Sequence, residues 1–208
     1  MGRTKINKIE TLANTKFLSL YDAEYINKKG NIKHWTMASR KTKETLEAQI
    51  FDNKKEKIDA VVIVALHKDL NKLVLLKQFR VPVNDYLYEL PAGLIDEGED
   101  VLTAAERELK EETGLKFIAI DSSKKIVPIY ASGGMTDESM ALVYCLCEGE
   151  VSSEYLEEDE DIEVMLVSQE EAKAMLEKGL KFDAKAYLAL QNFIKIGKDI
   201  VNVNINLK

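Results

Sequence analysis

A nearly continuous apolar run, "DAVVIVALH" at residues 59–67, reads as a buried strand. "KLVLLKQFR" (72–80) follows after a short polar turn, and the two runs predict a hairpin. Upstream, "KFLSLYDAEYI" (16–26) and "IKHWTMASRK" (32–41) look like two strands joined at "NKKG". "YLYELPAGL" (86–94) is a short strand broken by Pro91 and Gly93. Period-3.6 patterning then takes over, and a helix is expected over Val101–Thr113 with Gly114 at its left-handed stop. "IVPIYAS" (126–132), "MALVYCLCEG" (140–149) and "IEVMLVS" (162–168) read as further strands. The acidic stretch "EVSSEYLEEDEDI" is a loop between the last two. Two helices close the chain, the first opening on a capping box formed by Ser168 and Glu171, the second over "DAKAYLALQNFIKIG".

Many strands with few helices argue for a mixed α/β sandwich and against a doubly wound parallel sheet. The first 50 or so residues suit a small antiparallel β-sheet of their own, so the expected division is a β subdomain at 1–52 and a main domain at 53–208.

Charge changes the picture in one direction. A formal net charge of −7 disfavours a broad nucleic-acid surface, and no nucleic-acid partner is expected. A local anionic ligand remains compatible with it, because metal ions or a few arginines invert the field inside a cleft. No apolar run approaches the roughly 20 residues of a spanning helix, so no membrane partner is expected. The N terminus shows neither the apolar core of a signal peptide nor a myristoylation pattern, since Ile6 stands where Ser or Thr is required. Cys145 and Cys147 alternate along one strand and are expected as buried thiols, which suits a cytoplasmic setting. His34 and His67 are too few and too scattered for an imidazole metal site.

The chemistry is concentrated in the helix at 101–113. Leu102, Ala105 and Leu109 form an apolar stripe expected to pack it down, and Glu108, Glu111 and Glu112 converge along the border of that stripe. Like charges at this spacing repel, and the C-terminal end of a helix disfavours negative charge. Either water solvates the acidic face, with Arg107 and Lys110 as ion-pair partners, or a hard divalent cation such as Mg²⁺ or Mn²⁺ offsets the repulsion through oxygen ligands.

Spacing over a wider window bears on that choice. Gly93, Glu99, Arg107, Glu108, Leu109, Glu111, Glu112, Gly114 and Leu115 all fall in the register of one signature, and the chain resembles the Nudix hydrolases. "LLKQFR", "YELPAGLIDEGE" and "EDIEVMLVSQEEA" resemble the ADP-ribose pyrophosphatase branch of that family. The resemblance implies an α/β/α sandwich with a mixed sheet, and Mg²⁺-dependent hydrolysis of a nucleoside diphosphate linked to another group, with Mn²⁺ as a substitute. It implies Glu108 and Glu112 as main metal ligands, Glu111 assisting, Glu99 ion-pairing or ligating, and the Ala92 carbonyl as a further ligand. Arg107 would hold the helix and its loop.

For the substrate, the resemblance implies that Arg80 holds the diphosphate or terminal ribose, and it adds Glu89 beside it. Trp35 and Arg40 would grip the adenine and its neighbouring groups. The loop carrying Gly133, Gly134 and Glu138 would line the distal sugar. Gly133 stands where the branch usually has proline, a departure that bears on the choice of sugar. The general base is expected in the acidic loop among Glu157, Glu158, Asp159, Glu160 and Asp161, and register with the branch selects Glu160. A homodimer with sites shared between chains is also implied. Two alternatives stay open: the same reaction on another nucleotide sugar, such as GDP-mannose, and a sensor of the same fold that binds without cleaving.

Overall fold

The computed structural model describes residues 4–156 and 161–203. In chain order the elements are β1 (Lys5–Asn14), β2 (Ser19–Ile26), β3 (Ile32–Ser39), α1 (Lys43–Phe51), β4 (Ala60–His67), β5 (Lys72–Arg80), β6 (Asp85–Glu89), β7 (Ala92–Leu94), α2 (Val101–Thr113), β8 (Lys116–Ile120), β9 (Ile129–Tyr130), β10 (Ser139–Glu148), β11 (Ile162–Val167), α3 (Gln169–Glu177) and α4 (Ala184–Ile196). A short 3₁₀ turn over Gly197–Ile200 follows α4. The chain forms two compact units, one of residues up to Asp59 with Tyr130–Ser139, the other of Ala60–Ile129 with Met140 onward.

The larger unit is built around β4. All of its residues are buried, which is why its sequence is continuously apolar. Its alternate side chains serve two cores. Val61, Ile63 and Ala65 pack with Ala104, Ala105 and Leu109 of α2. Val62, Val64 and Leu66 pack on the opposite face with Ala172 and Met175 of α3 and Leu190 and Phe193 of α4. The strand order is β11-β5-β4-β10-β8. β4 runs parallel to β10 and antiparallel to β5, so the sheet is mixed and lies between helices in an α/β/α sandwich.

Ends of the helices follow local chemistry. Asp100 caps α2 by accepting from the Leu102 and Thr103 amides at 2.8 and 3.0 Å. Gly114 ends it with φ 73°, and a side chain there would collide with Ser152. At α3 both bonds of the capping box form: Glu171 N donates to Ser168 Oγ at 3.2 Å, and Ser168 N donates to Glu171 Oε2 at 2.7 Å.

In the smaller unit, β1, β2 and β3 form an antiparallel sheet in chain order. α1 covers one face, with Leu46 packed against Ile9 and Tyr21.

Three details differ from the sequence reading. Leu102 is 40% exposed, and Ala104 takes its place in the buried set beside Ala105 and Leu109. Side chains of a helix lean towards its N terminus, so a first-turn residue projects past the packed face. "IVPIYAS" yields only the two-residue β9, since Pro128 cannot donate to a ladder. β1, α1 and β8 carry no strong period and were not expected as elements. Nearly every residue of β1 is exposed and only Leu46 of α1 is buried, so neither has much of an apolar face to show. Among the described residues no helix is long and apolar enough to cross a membrane.

Candidate active site

The acidic cluster is assembled by α2, by β7 and by the loop between them. Ala105, Leu109 and Glu112 are spaced i, i+4, i+7, so Glu112 continues the stripe that packs on the sheet. It is only 4% exposed. Its Oε2 accepts the Ala92 amide at 2.9 Å. That bond ties the helix to the β7 backbone at the point where the ladder with β4 begins, Val62 facing Ala92.

Arg107 is the hub. Its Nε and Nη2 donate to the two Glu99 oxygens at 3.1 and 2.9 Å, a bidentate pair. Nη1 donates to Glu108 at 2.7 Å and to Glu111 at 3.1 Å. Nη2 also reaches the Leu94 carbonyl at 3.0 Å, and Asp96 lies 3.9 Å away. The guanidinium is held firmly charged, first by its hydrogen bond to Glu99 and against the opposing effect of burial. Glu99 in turn sits below the ordinary carboxylate range because Arg107 donates to it. Its Oε2 also accepts the Asp96 amide at 3.1 Å, closing the loop before the helix.

Of the three helix carboxylates, Glu108 and Glu111 thus meet on one guanidinium nitrogen, while Glu112 turns to the backbone of β7. Asp96 and the Leu94 carbonyl were not singled out from the sequence, because a carbonyl leaves no residue signal and one acid among several in "LIDEGED" is not distinctive.

Gly93 makes the cluster possible. A Cβ there would overlap the Glu108 carboxylate. Gly93→Ala should therefore displace Glu108 and leave the sheet intact, since the colliding atoms are the far end of a flexible side chain. The expected result is a fall in kcat of roughly 10- to 100-fold, the scale of a misplaced ligand shell, with a melting temperature within about 2 °C of wild type. Steady-state kinetics beside thermal unfolding checks both halves.

Near the cluster, Arg80 forms a second bidentate pair, Nε to Glu89 Oε1 at 2.8 Å and Nη2 to Glu89 Oε2 at 2.5 Å. The Glu89 bonds raise the affinity of Arg80 for its proton beyond what burial removes, and the charges of Glu112 and Asp183 add to this. Asp161 is anchored twice, by Tyr86 Oη at 2.5 Å and by the Phe79 amide to its carbonyl at 3.2 Å. Glu157, Glu158, Asp159 and Glu160 lie outside the described residues.

Could this set hold a metal? Among the described residues no three acidic, His or Cys side chains stand together as they would around a bound ion. The donor chemistry nevertheless fits hard divalent cations: Glu99, Glu108 and Glu111 meet on Arg107, and the buried Glu112 follows one turn on from Glu108. Carboxylates gathered on one helix face repel one another, and a divalent ion would offset that repulsion.

The remaining candidates sit in the smaller unit. Trp35 is 52% exposed, and its Nε1 donates to the Gly134 carbonyl at 3.1 Å. Arg40 Nε donates to Glu138 Oε2 at 2.6 Å. Trp35, Gly133 and Gly134 line a cavity of about 750 Å³ together with Met37, Tyr130 and Met135. The structure thus gathers Trp35, Arg40, Gly133, Gly134 and Glu138 in one unit, and Arg80, Glu89, Ala92, Glu99, Arg107, Glu108, Glu111 and Glu112 in the other.

Cys145 and Cys147 are free and buried, and burial pushes the Cys147 thiol up to about 12. Neither has the exposed, electropositive setting of a reactive cysteine.

Comparison with known proteins gives the family. The NUDIX domain model matches residues 56–190. An ADP-ribose pyrophosphatase of Bacillus subtilis is 37% identical over 136 residues, 64% of this chain and 70% of the relative. One of Saccharomyces cerevisiae is 30% identical over 199 residues, 89% of this chain and 80% of the relative. A crystal structure of an ADP compounds hydrolase superposes with a TM-score of 0.64 at 19% identity, covering 94% of this chain and 96% of that one, and shares its fold. The acidic helix, its arginine hub and the glycine that admits Glu108 all lie inside the matched span, and the chain belongs to the Nudix hydrolase family.

Proposed function

We propose that the protein hydrolyses ADP-ribose: water adds to one phosphorus of the diphosphate, the bridging P–O bond breaks, and AMP and ribose 5-phosphate leave. The observation that carries this reading is the convergence of Glu99, Glu108 and Glu111 on Arg107, with the buried Glu112 on the next turn of the same helix. Relatives that are ADP-ribose pyrophosphatases support the choice of substrate.

Glu108 and Glu112 would be the main ligands of divalent cations, Mg²⁺ foremost with Mn²⁺ as substitute, assisted by Glu111, Glu99 and the Ala92 carbonyl. Cations held there would spread the charge that develops on the phosphate oxygens. Arg107 keeps the helix and its loop in register. Arg80, oriented by Glu89, would hold the diphosphate or terminal ribose through donors left over from its carboxylate pair. Trp35 would offer its ring face to adenine while its N–H stays satisfied by Gly134. Arg40 would contact the groups next to the adenine, and the loop carrying Gly133, Gly134 and Glu138 would line the distal sugar. Glu160 would take the proton from the attacking water. The same family resemblance supports a homodimer built through the N-terminal subdomain of residues 1–52, and the buried Cys145 and Cys147 suit a cytoplasmic setting.

The test is a panel of ADP-ribose, GDP-mannose and other nucleotide sugars with Mg²⁺, products separated by ion-exchange chromatography. AMP and ribose 5-phosphate from ADP-ribose at the highest kcat/KM is expected. Turnover of another nucleotide sugar with none of ADP-ribose overturns the substrate. Tight binding without turnover identifies a sensor.

A further inference from the structure

The segment that departs from the branch pattern, "GGMTDES", is tied down by side chains from elsewhere in its unit. Four of its ties come from β3 and the two residues after it. Trp35 Nε1 donates to the Gly134 carbonyl at 3.1 Å, the Ala38 amide to the Met135 carbonyl at 2.8 Å, and Arg40 to Glu138 at 2.6 Å. Next in sequence, Lys41 Nζ donates to Asp137 Oδ2 at 2.8 Å.

Lys41 differs from the other three in what lies behind it. Its side chain is only 10% exposed, and Nζ also donates to Asp59 Oδ2 at 3.0 Å. That same oxygen accepts the Ser139 amide at 2.8 Å and the Ser139 hydroxyl at 3.0 Å. Ser139 is fully buried. One ammonium therefore joins the end of β3, the residue before β4 and the acid in the middle of the loop. Burial pulls the Lys41 proton affinity down, and the bonds to Asp137 and Asp59 more than restore it, so the group stays charged. Asp137 Oδ1 is buried and has no hydrogen-bond partner among the described residues, and its carboxylate is held through Oδ2. Two consecutive glycines do not fix their own backbone, and Gly133 lacks the restraint that proline would give. The clamp supplies from outside what the loop sequence omits.

We propose that Lys41, acting through Asp137 and Asp59, is a positioning residue that fixes the Gly133–Glu138 loop for substrate binding. This rests on the proposed role of that loop as a wall of the nucleotide-sugar site. The chemical steps belong to groups of the larger unit, so Lys41 governs KM and leaves kcat alone.

Four proteins test it: wild type, Lys41→Met, Lys41→Arg, and Lys41→Met combined with Asp137→Asn. Lys41→Met leaves two carboxylates facing each other and lowers thermal stability. The double variant removes that repulsion and separates stability from positioning. Expected are a KM for ADP-ribose raised about tenfold in Lys41→Met and in the double variant, a kcat within about threefold of wild type, and a KM within about threefold in Lys41→Arg, which keeps the charge. A wild-type KM in folded Lys41→Met, or a double variant that recovers stability and KM together, overturns the clamp and leaves the proposed function standing. If wild type turns over a different nucleotide sugar, the substrate reading fails and the clamp is read from KM for that compound. If it turns over none, the clamp is read from the Kd of ADP-ribose by calorimetry, and absence of binding overturns both.

Discussion

Replacing Glu112 by glutamine is expected to lower kcat by about 10²- to 10³-fold, some 3–4 kcal/mol of lost transition-state stabilisation, with the fold retained. The fold should survive because glutamine keeps the shape and an oxygen able to accept the Ala92 amide. What disappears is a negative charge held in a nearly water-free position on the packed stripe of α2. If that charge served only as a helix–strand fastener, the isostere would cost little activity. Comparable kcat in both proteins, with matching circular dichroism and melting curves, would remove Glu112 from the reaction.

The second large effect concerns stability. Arg107→Met should cost about 2–4 kcal/mol, because it strips the shared cation from Glu99 and Glu108, which are 10% and 13% exposed, and from the half-exposed Glu111. For a chain of this size that corresponds to a drop in melting temperature of roughly 5–15 °C. Two controls give the loss its electrostatic signature. Millimolar Mg²⁺ should recover part of it, since an ion that binds only the folded cluster stabilises by mass action. Acid should narrow the gap between the two proteins. Glu99 has its folded value held below the ordinary one by Arg107, so its contribution is complete above about pH 4.3 and fades as the pH falls through that lowered value. A gap unchanged from pH 7 to pH 3 would show that packing, not charge, accounts for it.

Much of this was legible in the sequence because the chemistry and the fold share one segment. The helix over Val101–Thr113 ends where the pattern said, since the period breaks at a glycine that alone tolerates the left-handed stop. β4 and β5 were legible from their apolar runs. Elements with little apolar face were not: β1 pairs along β2, and α1 packs on that sheet through a small cluster of Ile9, Tyr21 and Leu46 that no periodicity announces. Within the site, residue types located the carboxylates, but not how they are partitioned. That Glu108 and Glu111 fold onto Arg107 while Glu112 reaches the backbone is a tertiary fact, and the place of Glu108 depends on the space left by Gly93. The Lys41 clamp joins residues 41, 59 and 137, far apart in sequence and unremarkable singly.

Mn²⁺ binding, followed by the loss of the free-ion electron paramagnetic resonance signal, tests whether α2 is a cation site more directly than any rate does. It should be measured on wild type and on the Glu108→Gln, Glu112→Gln double variant, both confirmed folded. Saturable binding by wild type that the double variant loses is the expected result; equal uptake by the two proteins would mean that the acidic helix is a solvated face and not the seat of the chemistry.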